Sequence, residues 1–177
     1  MRSVVFNASA LFCFLSSPLL SSLIAFSVSL RLLIMIEFFF DTEEVDFEKL
    51  QVIEPVVEKI LSDYEYILKY ENIILMSDEE LLEINREFLR HDYFTDIITF
   101  NYSEVPKNVE AELYISWDRV KENANEHNVS DLDELYRVII HGTLHLVGFE
   151  DGTPKLKNEM QSLENQYINS IVPRGTL

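Results

Sequence analysis

Between Leu132 and Leu146 the chain writes a helix that can only sit in the middle of a fold. Leu132, Leu135, Ile139 and Leu144 mark one helical face, and Val138 and Ile140 widen the stripe beyond what a surface helix carries. Ser130 is a natural N-cap, and Asp131, Asp133 and Glu134 place negative charge at the positive end of the helix dipole. Two histidines lie inside this helix. His141 and His145 are four residues apart, which stacks both imidazoles on one face, close enough to share a metal ion. Gly148 can end the helix in a left-handed turn and bring Asp151 round as a third ligand. Three protein ligands leave a coordination position for water, as in a catalytic rather than a structural zinc site. A histidine pair alone is commonly an ordinary core or surface feature. The pair with the glycine and a third ligand in register points to a metal.

Composition limits what can surround such a site. The 177 residues carry 31 acids and 14 bases, a net charge of −17. The chain has two unlike parts, because residues 1–34 contain no acid and only Arg2 and Arg31 as charges. Without those two arginines, residues 35–177 carry 12 bases against all 31 acids, a net −19. A surface so anionic favours solubility and repels nucleic acid on average. Cys13, the single cysteine, lies in the first part, so residues 35–177 offer neither a disulfide nor a thiolate ligand. Any metal there is held by histidine and carboxylate.

Three readings compete for residues 1–34. A signal peptide fits Arg2 and the apolar start loosely, but the apolar stretch runs past any obvious cleavage site. A membrane anchor could use Ala10–Leu30, diluted by serines and Pro18. The third reading is that the segment is no part of the natural protein but upstream sequence translated onto a true start at Met35, outside the folded domain. The abrupt change of composition at Met35 favours it, which leaves residues 35–177 as the domain.

Along that domain, Glu37–Phe40 reads as a short strand and Phe47–Leu61 as a helix in spite of Pro55. Tyr66–Met76 reads as a strand with a possible break near Glu71 and Asn72. Ser77 to Glu80 is a capping box opening a helix through Leu81, Leu82, Ile84, Asn85 and Phe88. Ile97–Tyr102 and Glu112–Ser116 read as strands, and Trp117–Glu126 as a helix. Thr153 and Pro154 supply the cap and first residue of a last helix bearing Leu156, Met160, Leu163, Tyr167 and Ile168. Helices and strands mix without strict βαβ alternation. That predicts a single α+β domain, one mixed sheet with packed helices and the histidines on a central buried helix.

The pattern His141-Gly-x-Leu-His145-Leu-x-Gly148-Phe-x-Asp151 resembles the signature of the YbeY-type endoribonucleases, the ribosomal RNA maturation factors. Two further blocks agree in order and distance. One runs from Ile84-Asn85-x-x-Phe88 through His91-Asp92-x-x-Thr95-Asp96 to Phe100, and the other is Glu110 to Ser116. The resemblance covers Met35 to about Ser170. It departs in two places. The third ligand in this family is usually histidine, where this chain has Asp151. The family arginine directly after the aromatic of the Asn-x-x-aromatic motif is here Leu89, with Arg90 one residue later. A one-residue offset on a helix turns a side chain by about 100°, so Arg90 can stand in only if the helix has ended there.

The resemblance implies metal-dependent cleavage of single-stranded RNA in maturation of the 3′ end of small-subunit ribosomal RNA and in ribosome quality control. It further implies one divalent ion, zinc first, held by His141, His145 and Asp151. The expected partners are ribosomal RNA and the small subunit in the cytoplasm, with no membrane partner for residues 35–177. The residues themselves fit a hydrolase and argue against a zinc peptidase, which needs a glutamate base where Gly142 stands. Glu150 reads either as a base or partner of the site or as an exposed turn acid. Asp92 and Asp96 read as anchors of a loop facing the cleft, and Thr95 as a capping or turn residue. His91 and His127 read as surface or loop histidines, with His91 placed to line the cleft. Phosphate binding draws on lysine and arginine, so the RNA either meets a groove built from Arg86, Arg90, Lys107, Arg119, Lys121 and Arg137 or is delivered by the ribosome. The alternative is a ribosome-assembly binding factor with a structural metal and little nuclease activity.

Overall fold

The computed structural model describes residues 5–7, 36–40 and 45–171. Its sheet contains β1 (Val5–Asn7), β2 (Ile36–Phe39), β3 (Ile67–Met76), β4 (Ile97–Asn101) and β5 (Asn108–Ser116), in spatial order β1-β4-β5-β3-β2. β2, β3 and β5 run parallel, β4 is antiparallel to β5, and β1 is parallel to β4. The predicted α+β fold with one mixed sheet is what forms. The extension of residues 1–34 lies outside the described residues apart from Val5–Asn7, which pairs with Thr99–Asn101.

Side-chain alternation divides the sheet into two faces. Val109, Ala111, Leu113 and Ile115 of β5 are buried with Ile73 and Ile97 in the main core. Tyr114, Ile98 and Phe100 point the other way, into a smaller cluster with Leu81 and Phe88. β3 is continuous through Glu71 and Asn72. Its irregularity falls between Leu68 and Tyr70, where the pairing with β5 shifts register.

The helices are α1 (Phe47–Leu50), α2 (Glu54–Asp63), α3 (Asp78–Ile84), α4 (Trp117–His127), α5 (Asp131–Leu146) and α6 (Pro154–Ile171). The single helix predicted over 47–61 is two, joined by a 3-10 turn at Gln51–Ile53. Pro55 has no N–H for the hydrogen bond a continuous helix requires, so it sits in the first turn of α2 and restarts the helix. α3 begins with the predicted capping box and passes into a π turn at Asn85–Leu89, which ends on Arg90 at φ 57°. Asn85, buried there, donates from Nδ2 to the Tyr93 carbonyl at 2.7 Å and fixes the loop leading to Asp96.

α5 is the central helix, packed on β4 and β5 and flanked by α2, α4 and α6. Gly142 explains how it lies so close to the sheet. A Cβ there would stand 2.7 Å from Ile97 Cδ1 and 2.9 Å from Leu113 Cδ2. The residue after the first histidine therefore faces the sheet, and a longer side chain would lift the helix away from it.

Candidate metal centre

The C-terminal end of α5 builds the site from its own backbone. Gly148 takes φ 99°, the Phe149 N–H donates to the Leu144 carbonyl at 3.1 Å, and the Gly148 N–H donates to the His145 carbonyl at 3.0 Å. This pair of bonds is a Schellman ending. It reverses the chain and carries Asp151 back toward the helix. It also aims the Phe149 carbonyl at His145, whose Nδ1–H donates to it at 2.7 Å. His141 makes the matching contact across helices, its Nδ1–H donating to Glu164 Oε1 on α6 at 2.7 Å.

With both Nδ1 atoms used as donors, the neutral imidazoles turn their Nε2 lone pairs toward each other, and a proton taken up by His141 sits on its Nε2 and donates to His145. The two Nε2 atoms face each other 3.0 Å apart. Two nitrogens bound to one tetrahedral zinc at ordinary distances stand about 3.3 Å apart, so the pair is spaced for a shared cation. Ligand atoms of His141, His145 and Asp151 all lie within 4.8 Å of one another. The donor set therefore fits a divalent ion, with one partner behind each imidazole to fix its tautomer and orientation.

The proton affinities agree with this geometry. Burial and repulsion from His141 push His145 down to about 4. Burial also works against the charged form of His141, but the hydrogen bond and charge of Glu164, with Asp96 and Asp151 behind it, outweigh that and raise its pKa. The carboxylates around His141 thus favour positive charge at the spot where the nitrogens converge.

A cavity of about 250 Å³ opens beside the site between α4, α5 and α6. Five carboxylates line it, Asp96, Glu126, Glu134, Asp151 and Glu164, against two permanent cations, Arg137 and Lys157. Asp96 reaches it from the loop before β4, as the sequence suggests. His127 lines it as well, its Nδ1 3.1 Å from Glu134 Oε2, whereas His91 pairs with the Tyr93 hydroxyl instead. His127 is thus an exposed histidine at the cavity's edge, in line with its surface reading, and His91 is a loop histidine that does not line this cavity. Thr95 bonds the Ile97 carbonyl, a turn role.

Arg90 and Glu150 are exposed, and neither lines the cavity. The helix has ended at Arg90, which meets the condition set for it, but its side chain does not reach this space. The six cations offered as a basic groove do not gather into one. Arg86 is tied to Asp92, Arg119 to Asp78 and Glu122, Lys107 to the Tyr64 carbonyl and Lys121 to Asp118. Of the six, Arg137 alone faces the cavity. Glu164 was not singled out from the sequence. Its signal is an acid at a helical interval from Met160 and Tyr167, inside the apolar stripe of α6.

An α+β domain whose buried central helix, with the turn that follows it, brings two histidines and a carboxylate together beside an acidic cleft belongs to the class of folds that could hold a metal ion. Comparison narrows this to one family. The sequence matches the family model for the endoribonuclease YbeY over residues 36–172, and the chain belongs to that family. It is 50% identical over 98 residues to the endoribonuclease YbeY of Cytophaga hutchinsonii, covering 55% of this chain and 68% of that protein. It is 38% identical over 125 residues to the one from Chlorobium phaeobacteroides, covering 71% and 87%. The solution structure of TM1509 from Thermotoga maritima is similar at 29% identity and a TM-score of 0.53, covering 77% of this chain and 89% of that one.

Proposed function

We propose that this protein is a metal-dependent, single-strand-specific endoribonuclease. Its cellular role would be maturation of the 3′ end of small-subunit ribosomal RNA and ribosome quality control, in the cytoplasm, with ribosomal RNA and the small subunit as partners. The observation that carries the reading is the pair of Nε2 atoms 3.0 Å apart, each backed by a partner on Nδ1, with Asp151 completing the set. The relatives' name, endoribonuclease, supplies the reaction class. No helix among the described residues is long and apolar enough to cross a membrane.

In this reading His141, His145 and Asp151 would hold the ion, zinc first. When bound, a divalent ion polarises a phosphoryl oxygen and makes water a better nucleophile. The chain's own residues prepare the place. Glu164 and the Phe149 carbonyl orient the imidazoles, and the helix ending presents Asp151. The five cavity carboxylates would repel a phosphodiester from the bare protein, so substrate binding depends on the loaded site.

That same acidity favours a second reading, a ribosome-assembly factor whose metal is structural. Purified full-length protein, with and without a chelator, separates the two on short single-stranded and duplex RNAs. The nuclease reading expects cleavage of the single strand that chelator abolishes and the divalent ion restores, and a His145→Ala variant that neither holds the ion nor cleaves. Tight binding to small subunits without cleavage by the loaded protein would support the assembly reading instead.

A further inference from the structure

Arg137 sits on α5 four residues before His141 and eight before His145, so the three side chains share one face of the helix. Its surroundings differ from those of the other paired arginines. Arg119 is closely paired with carboxylates at 2.8 and 2.6 Å, and Arg86 with one at 2.6 Å. The carboxylates nearest Arg137 stand farther off, Glu134 Oε2 at 3.5 Å and Glu164 Oε2 at 3.7 Å, beyond the 2.7–2.9 Å of a strong charge-assisted bond. Its Nη1 donates to Asn165 Oδ1 at 3.2 Å. The guanidinium is therefore aimed by its neighbours but not used up by them, and the side chain, about a quarter exposed, lines the cavity. Glu164 joins it to the site, since Oε1 of that carboxylate accepts from His141 and Oε2 faces Arg137.

We infer that Arg137 is a substrate-binding residue that grips a phosphate of the single-stranded chain beside the metal centre. The inference deepens the nuclease reading and rests on it. A planar guanidinium with five donors matches two phosphate oxygens at once. In a cavity with five carboxylates it provides fixed positive charge on the same rigid helix as the metal ligands, which sets the phosphate's distance from them. Lys157, the other permanent cation, stands on an exposed turn of α6 and offers a point charge without that geometry.

The test compares wild type, Arg137→Met and Arg137→Lys, each loaded with zinc, by fluorescence anisotropy. The probe is a short single-stranded 2′-O-methyl oligoribonucleotide, titrated over a range of salt concentrations. Losing one phosphate contact should weaken binding by about tenfold or more and flatten the slope of log affinity against log salt by about 0.7. Arg137→Lys should keep the slope and lose less affinity. Zinc affinity, read by competition with a chromophoric chelator, should stay within about twofold of wild type in both variants, because Arg137 is not a ligand. An unchanged salt slope in Arg137→Met overturns the inference. So does a loss of zinc that accounts for the weaker binding, since that is the signature of an arginine that merely holds Glu164. Wild-type protein that holds zinc but ignores the oligonucleotide overturns the nuclease reading itself.

Discussion

Replacing Glu71 with glutamine should stabilise this protein, and only above a certain pH. Glu71 lies on β3 under the central helix with none of its surface exposed. Burial pushes its carboxyl from 4.5 up to about 7, against a small opposing pull from the Thr143 hydroxyl. Proton counting supports the neutral form. The Thr143 hydroxyl has one hydrogen but stands 2.9 Å from the Ile139 carbonyl and 3.0 Å from Glu71 Oε1. If it donates to the carbonyl, the second contact needs a proton on Glu71, which then donates to Thr143. The other carboxyl oxygen, Oε2, has no partner, which an anion could tolerate even less. A rise from 4.5 to about 7, at about 1.4 kcal/mol for each pKa unit, makes ionisation cost the fold about 3 kcal/mol. Below pH 4.5 the group is neutral in both folded and unfolded chains and costs nothing. The loss accumulates as pH rises from there and is complete above about 7. Glu71→Gln keeps the shape and a donor for Thr143 while removing the charge. Chelator-treated protein should therefore match wild type near pH 4.5 and exceed it by about 3 kcal/mol near pH 8, a melting shift on the order of 10 °C for a chain of this size. Other titrating groups cancel in the difference between the two proteins. A difference that stays flat across that range would mean the carboxyl is not held neutral.

Three further outcomes follow from the same geometry. Glu164→Gln retains an acceptor for His141 but removes its charge, so zinc affinity measured by chelator competition should fall about ten- to hundredfold, and an unaltered affinity would show that Glu164 does no orienting. Gly142→Ala forces a methyl against Ile97 and Leu113, so chemical denaturation should register a loss of about 1–3 kcal/mol; parity with the parent would mean that the helix lifts freely. Asp151→Ala should weaken zinc binding by about ten- to hundredfold without abolishing it, whereas Asp151→His should sharpen the preference for zinc over harder divalent ions. Unchanged metal selectivity in the histidine variant would remove Asp151 from the ligand set.

What could be read from the sequence was local, and what escaped was set by the third dimension. The helix of His141 and His145, its Ser130 cap and its glycine ending are governed by intervals of three and four residues, so they stand in the sequence plainly. Pro55 was visible too, but its effect was misjudged, because apolar spacing continues through a helix break that the missing N–H imposes. Glu164 is 23 residues from His141 and meets it only because α6 packs on α5. No spacing rule links them. Yet the residues that mattered and were missed share one trait. Glu71 falls in the inward row of β3 with Ile73 and Leu75. Glu164 falls in the buried row of α6 with Met160 and Tyr167. Each is an acid where the pattern calls for an apolar side chain. Keeping a carboxylate in such a row costs stability unless something in the fold holds it or protonates it. Here His141, one of three residues that could hold a metal ion, meets one, and a proton settles the other. An acid inside an apolar stripe is therefore a sequence signal in its own right, and in this chain it leads to Glu164, the partner that orients His141.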